Sequence, residues 1–339
     1  MDSLTQIVLG GAVGEAVLGK KVGNKAILWG AIGGTIPDLD TIPGQFMSTV
    51  DRLDIHRGFS HSIIFAILIA PLLGYLVNRL YQGKLSNFKG WTALFFWSIF
   101  THPLLDSFTT WGTQLFWPLD WRIALHSIFV IDPLYTLPFL FCLLGVLFLN
   151  RKNSIRAKLN RFGIVISSIY LIWSLTAKMI IGNRVEKMLK KQEVSWQSYQ
   201  SRPGLFNTIL WTFNIEQKDR FLITYCSFFD KDESPLLIHE FPKRHDLLLP
   251  YRNHKDIERL IFLTKGYFII EQIEDGLLMH DLRFGLTEGF TPEKGEFVFT
   301  YKITEVEGEL LIEQLERSFK GMESVLEKNY QRMLGFKFV

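Results

Sequence analysis

Five or six apolar segments crowd into the first half of this 339-residue chain, and its His and Asp residues gather at their ends. Leu4 to Leu18 is short and Gly-rich, and Ala26 to Ile36 is shorter still. Ser62 to Tyr81, Trp91 to Leu105, Pro133 to Leu149 and Gly163 to Ile181 are longer. A full span takes about 20 apolar residues. The first two segments fall below that and suit a re-entrant hairpin or short helices packed inside a bundle. Gly10, Gly14, Ala31 and Gly34 would let two helices approach closely, although glycine is common in membrane helices anyway.

Hydrophobic residues make up 48% of the chain, too many and too segmented for an ordinary soluble domain. From Ser195 the character changes. Leu205 to Ile215, Arg220 to Phe229, Leu260 to Ile270, Leu277 to Phe284 and Phe297 to Glu305 read as strands bounded by polar turns. Glu316 to Met333 reads as a closing amphipathic helix. The expected fold class is α+β: a multi-span helical membrane domain over 1–182, then a β-rich soluble domain over 183–339 ending in a helix. A net charge of +3 gives no sign of nucleic-acid binding. Cys142 and Cys226 lie in unlike settings, so no disulfide and no Cys-based zinc motif is expected. The N-terminus, with Asp2 and Glu15, lacks signal-peptide character and is read as retained.

Basic residues set the expected orientation. Lys20, Lys21 and Lys25 follow the first segment; Arg79, Lys84 and Lys89 the third; Arg151, Lys152, Arg156, Lys158 and Arg161 the fifth. Alternating spans put these loops on the cytoplasmic side of an inner membrane, and the His and Asp loops and C-terminal domain on the other. The cluster Arg184, Lys187, Lys190 and Lys191 pulls the other way.

Ionisable residues beside membrane segments are costly and point to function. Here they are Asp38 and Asp40 after Pro37, His56 and His61 around Arg57-Gly58-Phe59-Ser60, and His102 with Asp106. His102 and Asp106 share one helix face at a spacing of four. Each pair alone has a bland reading: a helix-end pair, interfacial histidines, or a turn with Asx hydrogen bonds. Three boundaries presenting ligand-type residues on one face favour a metal. A single catalytic zinc takes three protein ligands and keeps an open position. Six candidates exceed that, and a carboxylate-bridged pair of ions clamping a phosphoester would use them better; surplus Asp residues could instead serve as orienting partners or a general base.

Catalytic candidates are Asp40, Asp106 and Asp132, the last at a helix start where capping is the plain reading. Arg57 and Arg122 are candidates for holding a phosphate bidentately, or for interfacial anchors. Gln6, Glu15 and His126 form a second tier, and a structural salt bridge competes equally for Glu15.

The chain resembles the YdjM-like family of membrane-bound metal-dependent hydrolases, which are bacterial. The likeness runs through Met1-Asp2-Ser3-Leu4-Thr5-Gln6, Pro37-Asp38-Leu39-Asp40, His56-Arg57-Gly58-Phe59-Ser60-His61-Ser62 and Thr101-His102-Pro103-Leu104-Leu105-Asp106. It continues through Gly112 to Trp117-Pro118 and Ile131-Asp132-Pro133-Leu134-Tyr135, covering roughly the first 180 residues. The resemblance implies a metal-dependent hydrolase with Asp38, Asp40, His56, His61, His102 and Asp106 as metal residues. Many relatives carry His where this chain has Gln6, and often His where it has Thr41, which leaves the ligand count open. Glu15 is the candidate to make it up.

The expected activity is hydrolysis of a phosphoester or related bond in a membrane lipid or lipid-linked substrate, using one or two divalent ions. Zinc comes first on the His content; manganese or magnesium suits the carboxylates. The alternatives are a transporter, with ionisable residues lining a path, and a non-catalytic scaffold stapled by metal. A membrane protease fits less well, because no His-Glu-x-x-His motif is present. The C-terminal domain could cover the site, bind the substrate headgroup or dock a protein partner, and the sequence does not choose among these.

Overall fold

A computed structural model describes residues 1–231, 235–292, 295–316 and 322–338. They divide into two compact units: Met1–Phe46 with Ile55–Leu175, and Met47–Asp54 with Thr176–Val339.

The first unit is helical. Helices α1 (Ser3–Val22) and α2 (Asn24–Thr35) turn back at Gly23 and pair antiparallel. Asp2 caps α1 by accepting from the Thr5 amide, and Lys20 and Lys21 sit favourably in its last turn. The first helix therefore runs 20 residues, longer than the apolar stretch from Leu4 to Leu18 suggests. A β-carbon on Gly10 would meet the Gly30 carbonyl at 2.4 Å, and one on Gly14 the Ala26 carbonyl at 2.2 Å. The small residues are there because two backbones touch. Pro37 opens a 3₁₀ turn, Pro37–Asp40, directly after α2. The short helix α3 (Thr41–Gly44) follows; next in the chain comes α4 (Thr49–Ile55), which up to Asp54 belongs to the second unit, and then a second 3₁₀ turn, Phe59–His61.

Helix α5 (Ile63–Leu80) is capped by Ser62, and α6 (Phe88–Asp106) returns beside it, with Gly74 against Thr92. Helix α7 (Pro133–Phe148) is capped by Asp132, and α8 (Ser154–Lys191) returns beside it, with Gly163 against Cys142 and Phe139. Trp91, Leu94, Phe95 and Ile99 of α6 form one core with Leu18, Ala66 and Ala70; Tyr135, Phe139 and Leu143 of α7 form another with Val8 and Leu105.

Among the described residues, two helices are long and apolar enough to cross a membrane: Ile63–Leu80 and Ser154–Lys191. Helices α2 and α7 miss that measure because they are short, at 12 and 16 residues; α1 and α6 are long enough but interrupted by polar residues, Gln6, Glu15, Lys20 and Lys21 in one and Lys89, His102 and Asp106 in the other. Arg156, Lys158 and Arg161, expected in a loop, lie inside α8, whose 38 residues run unbroken past 182.

In the second unit, β1 (Ser198–Pro203), β2 (Leu210–Glu216), β3 (Arg220–Ser227) and β4 (Ile238–Pro242) form one antiparallel sheet in chain order. The later part of α8 packs Ile181, Val185 and Leu189 on Trp211, Phe213, Ile215 and Leu222. The alternate residues Phe221, Ile223 and Tyr225 face Ile269, Leu282 and Phe290. Both faces of this sheet are thus covered, which is why β2 and β3 read as continuous apolar runs.

After helix α9 (Lys255–Leu263), strands β5 (Phe268–Ile273), β6 (Gly276–Asp281), β7 (Thr300–Val306) and β8 (Glu309–Gln314) form a second antiparallel sheet, and α10 (Met322–Met333) closes the chain. The segment expected as a strand over 260–270 is corrected: its first part is α9, which buries Ile257, Leu260 and Leu263 at a spacing of three. Strands β1, β4 and β8 are additional to the expected set; they are short edges with polar residues. Part of the stretch 316–333 expected as helix, residues 317–321, lies outside the described residues.

Candidate metal centre

Three chain reversals deliver four donor side chains to one point. Asp38 comes from the turn that Pro37 opens, His61 from the turn before α5, and His102 and Asp106 from the last turn of α6. One ligand atom from each lies within 4.8 Å of all the others. The two Nε2 atoms of His61 and His102 are 3.1 Å apart, and each is 3.4 Å from Asp38 Oδ1. Asp106 Oδ2 is 3.8 Å from His61 Nε2 and 3.9 Å from His102 Nε2. A tetrahedron with bonds of about 2.0–2.2 Å has edges of about 3.3–3.6 Å. His61 Nε2, His102 Nε2 and Asp38 Oδ1 are spaced close to three corners of such a site, and Asp106 Oδ2 stands a few tenths of an ångström farther off.

The ring orientations agree with that spacing. His102 Nδ1 is 2.6 Å from the Gly34 carbonyl, an acceptor only, so Nδ1 carries the proton and Nε2 presents its lone pair. His61 Nδ1 faces Asp40 Oδ2 at 3.3 Å and Ser60 Oγ at 2.9 Å. The carboxylate makes Nδ1 the donor there too. Two lone pairs and two carboxylates then face a common centre, which calls for positive charge: a proton or a cation. Burial works against charge on His61, yet its hydrogen bonds to the Asp38 and Asp40 carboxylates raise its pKa above the ordinary value. Burial likewise opposes ionisation of Asp38, and His102 and His61 hold it well below the usual carboxylate range.

Asp40 and His56 do not join the four. Asp40 stands behind His61, a carboxylate–histidine arrangement that orients a metal ligand. Its Oδ2 also accepts from Ser60 Oγ at 2.7 Å and the Arg57 amide at 3.0 Å, and its Oδ1 meets His56 Nδ1 at 3.0 Å. Burial opposes ionisation of Asp40, and its contacts with His56 and His61 hold it well below the usual carboxylate range. Arg57 turns inward: Nε is 3.0 Å from Asp106 Oδ2, and a terminal nitrogen donates to Thr109 Oγ1 at 2.9 Å. Asp106 Oδ1 also takes the Met1 ammonium and, at 2.8 Å, the Gln6 amide.

The other candidates have separate places. Arg122 donates to the His56 carbonyl, supporting the loop that carries the site. Asp132 caps α7, accepting from the Leu134 and Tyr135 amides and from Tyr170 Oη at 2.9 Å. Burial pushes its carboxyl up to about 6 against those bonds. His126 is buried, with a left-handed backbone at φ 51°. Glu15 forms a buried bidentate pair with Arg156, at 2.7 and 2.6 Å, and takes no part among the four donors. The Met1 ammonium, Thr109, Ser60 and the Gly34 carbonyl went unforeseen as contributors. Ser60 had a visible signal, its place beside His61; the Gly34 carbonyl had none, since every residue has one.

Family comparison agrees with the helical half. The chain belongs to the YdjM inner membrane protein family, whose model matches residues 1–181. It is 33% identical over 105 residues to the inner membrane protein YbcI of Escherichia coli (strain K12), covering 31% of this chain. It spans 59% of that relative's length. No solved structure matches. An inner-membrane location follows from the family.

Proposed function

We propose that the protein is a metal-dependent hydrolase of a phosphoester or related bond in a membrane-associated substrate, with Asp38, His61, His102 and Asp106 holding one divalent ion. The observation that carries this reading is the uneven burial of the donors. The His61, His102 and Asp106 side chains are fully buried, while that of Asp38 is 26% exposed. A purely structural ion is sealed on all sides; a catalytic one keeps an approach. Here the approach lies on the Asp38 side.

Two imidazoles with two carboxylates at near-tetrahedral spacing favour zinc, and manganese is the next choice. The ion's contribution there is Lewis acidity toward an ester oxygen and toward water. The chain's own residues do the rest. Asp40 fixes the tautomer of His61. Arg57 offsets the charge of Asp106 and keeps that carboxylate in place. His56, 29% exposed and hydrogen-bonded to Asp40, is the candidate to exchange protons with substrate or water. The basic residues at the far ends of α1 and α5 support a non-cytoplasmic placement of the site.

A second reading has one observation in its favour. Four protein donors fill a tetrahedron, as in a structural staple. Purified protein in detergent, assayed on phosphomonoesters and phospholipids with and without chelator, separates the two. Hydrolysis that is lost with the ion and restored by zinc or manganese supports the enzyme. A bound ion whose removal unfolds the first unit, with no hydrolysis of any substrate tested, supports the staple.

A further inference from the structure

Beside the metal centre lies a short hairpin whose base supports the site and whose tip has no part in it. Thr113 and Ile123 pair antiparallel, exchanging backbone hydrogen bonds of 3.0 and 2.9 Å. Its base is tied to the segment carrying the site: the Gln114 amide donates to the Arg57 carbonyl, the Ile63 amide to the Leu115 carbonyl, and the Arg122 side chain to the His56 carbonyl. Its tip spends four of six positions, 116–121, on Phe116, Trp117, Leu119 and Trp121. All four are exposed, Leu119 at 61% and Trp121 at 59%.

That tip continues a surface already apolar. Trp117 packs on Phe59 at 4.9 Å, and Phe59 on Phe65 of α5 at 5.4 Å. Ile64, Ile67 and Leu68 carry the exposed apolar surface onward along α5. At 18 residues, α5 is about 27 Å long, close to the hydrocarbon thickness of about 30 Å. Its first turn therefore lies at the membrane–water boundary, where Trp is enriched because one part of the ring is apolar and the other polar.

We infer that the 113–123 hairpin is an interfacial anchor whose tip lies among the lipid headgroups and holds the metal centre at that depth. Its consequence for chemistry rests on the hydrolase reading: the substrate class is a bilayer phospholipid, which presents its phosphate to Asp38 and the buried histidines without leaving the membrane.

The test uses nitroxide labels on the full chain in phosphatidylethanolamine–phosphatidylglycerol vesicles, with Cys142 and Cys226 replaced by alanine. Leu119→Cys and Trp121→Cys are the probes; Leu68→Cys marks lipid and Lys152→Cys marks water. The measurement is relative accessibility to oxygen and to a water-soluble nickel chelate. Values between the two controls at both probe positions support the anchor. Water-like values at both, or spin–spin broadening that reports a second copy of the chain against the tip, overturn it. If the labelled variants fail to fold, headgroup-proximal brominated lipid replaces them. More quenching of the native chain than of Trp121→Phe supports the anchor, and equal quenching overturns it. Neither readout needs metal or turnover, so an embedded tip in an inactive protein upholds the anchor and removes only the substrate inference.

Discussion

His61 Nε2 and His102 Nε2 face each other at 3.1 Å, while the opposite nitrogen of each ring has a hydrogen-bond acceptor of its own. Such a pair repels unless positive charge lies between the lone pairs. The carboxylates of Asp38 and Asp106 complete one set of donors, and Asp40 and His56 fall outside it. The expected stoichiometry is one divalent ion per chain. Elemental mass spectrometry on detergent-purified protein checks this; His61→Ala and His102→Ala should each lose the ion. A ratio of two in the native chain would contradict the four-donor assignment.

Asp40 acts through His61. Removal of the carboxylate behind a ligating histidine typically costs 10–100-fold in metal affinity, about 1.4–2.8 kcal/mol. Asp40→Asn should weaken binding by that factor and keep the stoichiometry of one, whereas Asp38→Asn removes a donor and should weaken it more. Competition with a calibrated zinc chelator gives both constants. Equal losses in the two variants would return Asp40 to the coordinating set.

The contribution of Asp132 to stability should fall as pH rises from about 4 to 6. Burial raises its folded-state pKa to about 6 from an ordinary value near 3.8. A raised acid favours the protonated form, so its contribution is full below about 4 and lost as pH climbs through 6. The shift corresponds to about 3 kcal/mol. Asparagine caps helices as well as aspartate, so Asp132→Asn should keep the fold and flatten that part of the profile. Thermal unfolding in detergent between pH 4 and 7.5 reads this directly. An unchanged profile would remove Asp132 from the account.

How much of this could be read from the residues depends on what each feature requires. A cluster able to hold a metal was legible because its side chains carry their chemistry in their identity and lie at segment ends. The division of labour between Asp38 and Asp40 was not, because two carboxylates two residues apart are equivalent until a turn aims one inward and the other at His61. The strands that alternate or run apolar, β2 and β3, stand close to where the pattern puts them. Helix α9 reads as the start of a strand because Leu260, Ile261, Phe262 and Leu263 form an unbroken apolar run, and only packing reveals which of them turn inward.

Glu15 belongs to the scaffold. Its carboxylate meets the Arg156 guanidinium on two edges, and Arg156 also donates to Asn24 Oδ1 and to the Val146 and Leu149 carbonyls. Removing one partner of a buried pair leaves the other charge uncompensated, at roughly 3–5 kcal/mol. Glu15→Ala should lower the melting temperature sharply while the protein that remains folded binds one ion at native affinity. Loss of affinity in the folded fraction would tie Glu15 to the metal centre after all.

The α1–α2 contact links packing to the metal. A β-carbon on Gly14 would lie 2.2 Å from the Ala26 carbonyl and 2.9 Å from the Gly30 Cα, backbone atoms that cannot turn aside. Gly14→Ala must therefore separate the helices, and overpacking of this kind costs about 1–3 kcal/mol. The displacement reaches the site because α2 supplies both the Gly34 carbonyl that sets the His102 tautomer and the lead-in to Asp38. Metal affinity should thus fall together with stability. Gly83 is the control: it sits in a turn at φ 68°, where an added β-carbon would meet no atom within 4 Å, and asparagine tolerates that conformation. Gly83→Asn should change neither property. If Gly14→Ala lowers the melting temperature and leaves zinc affinity intact, the α1–α2 contact supports the fold without setting the geometry of the centre.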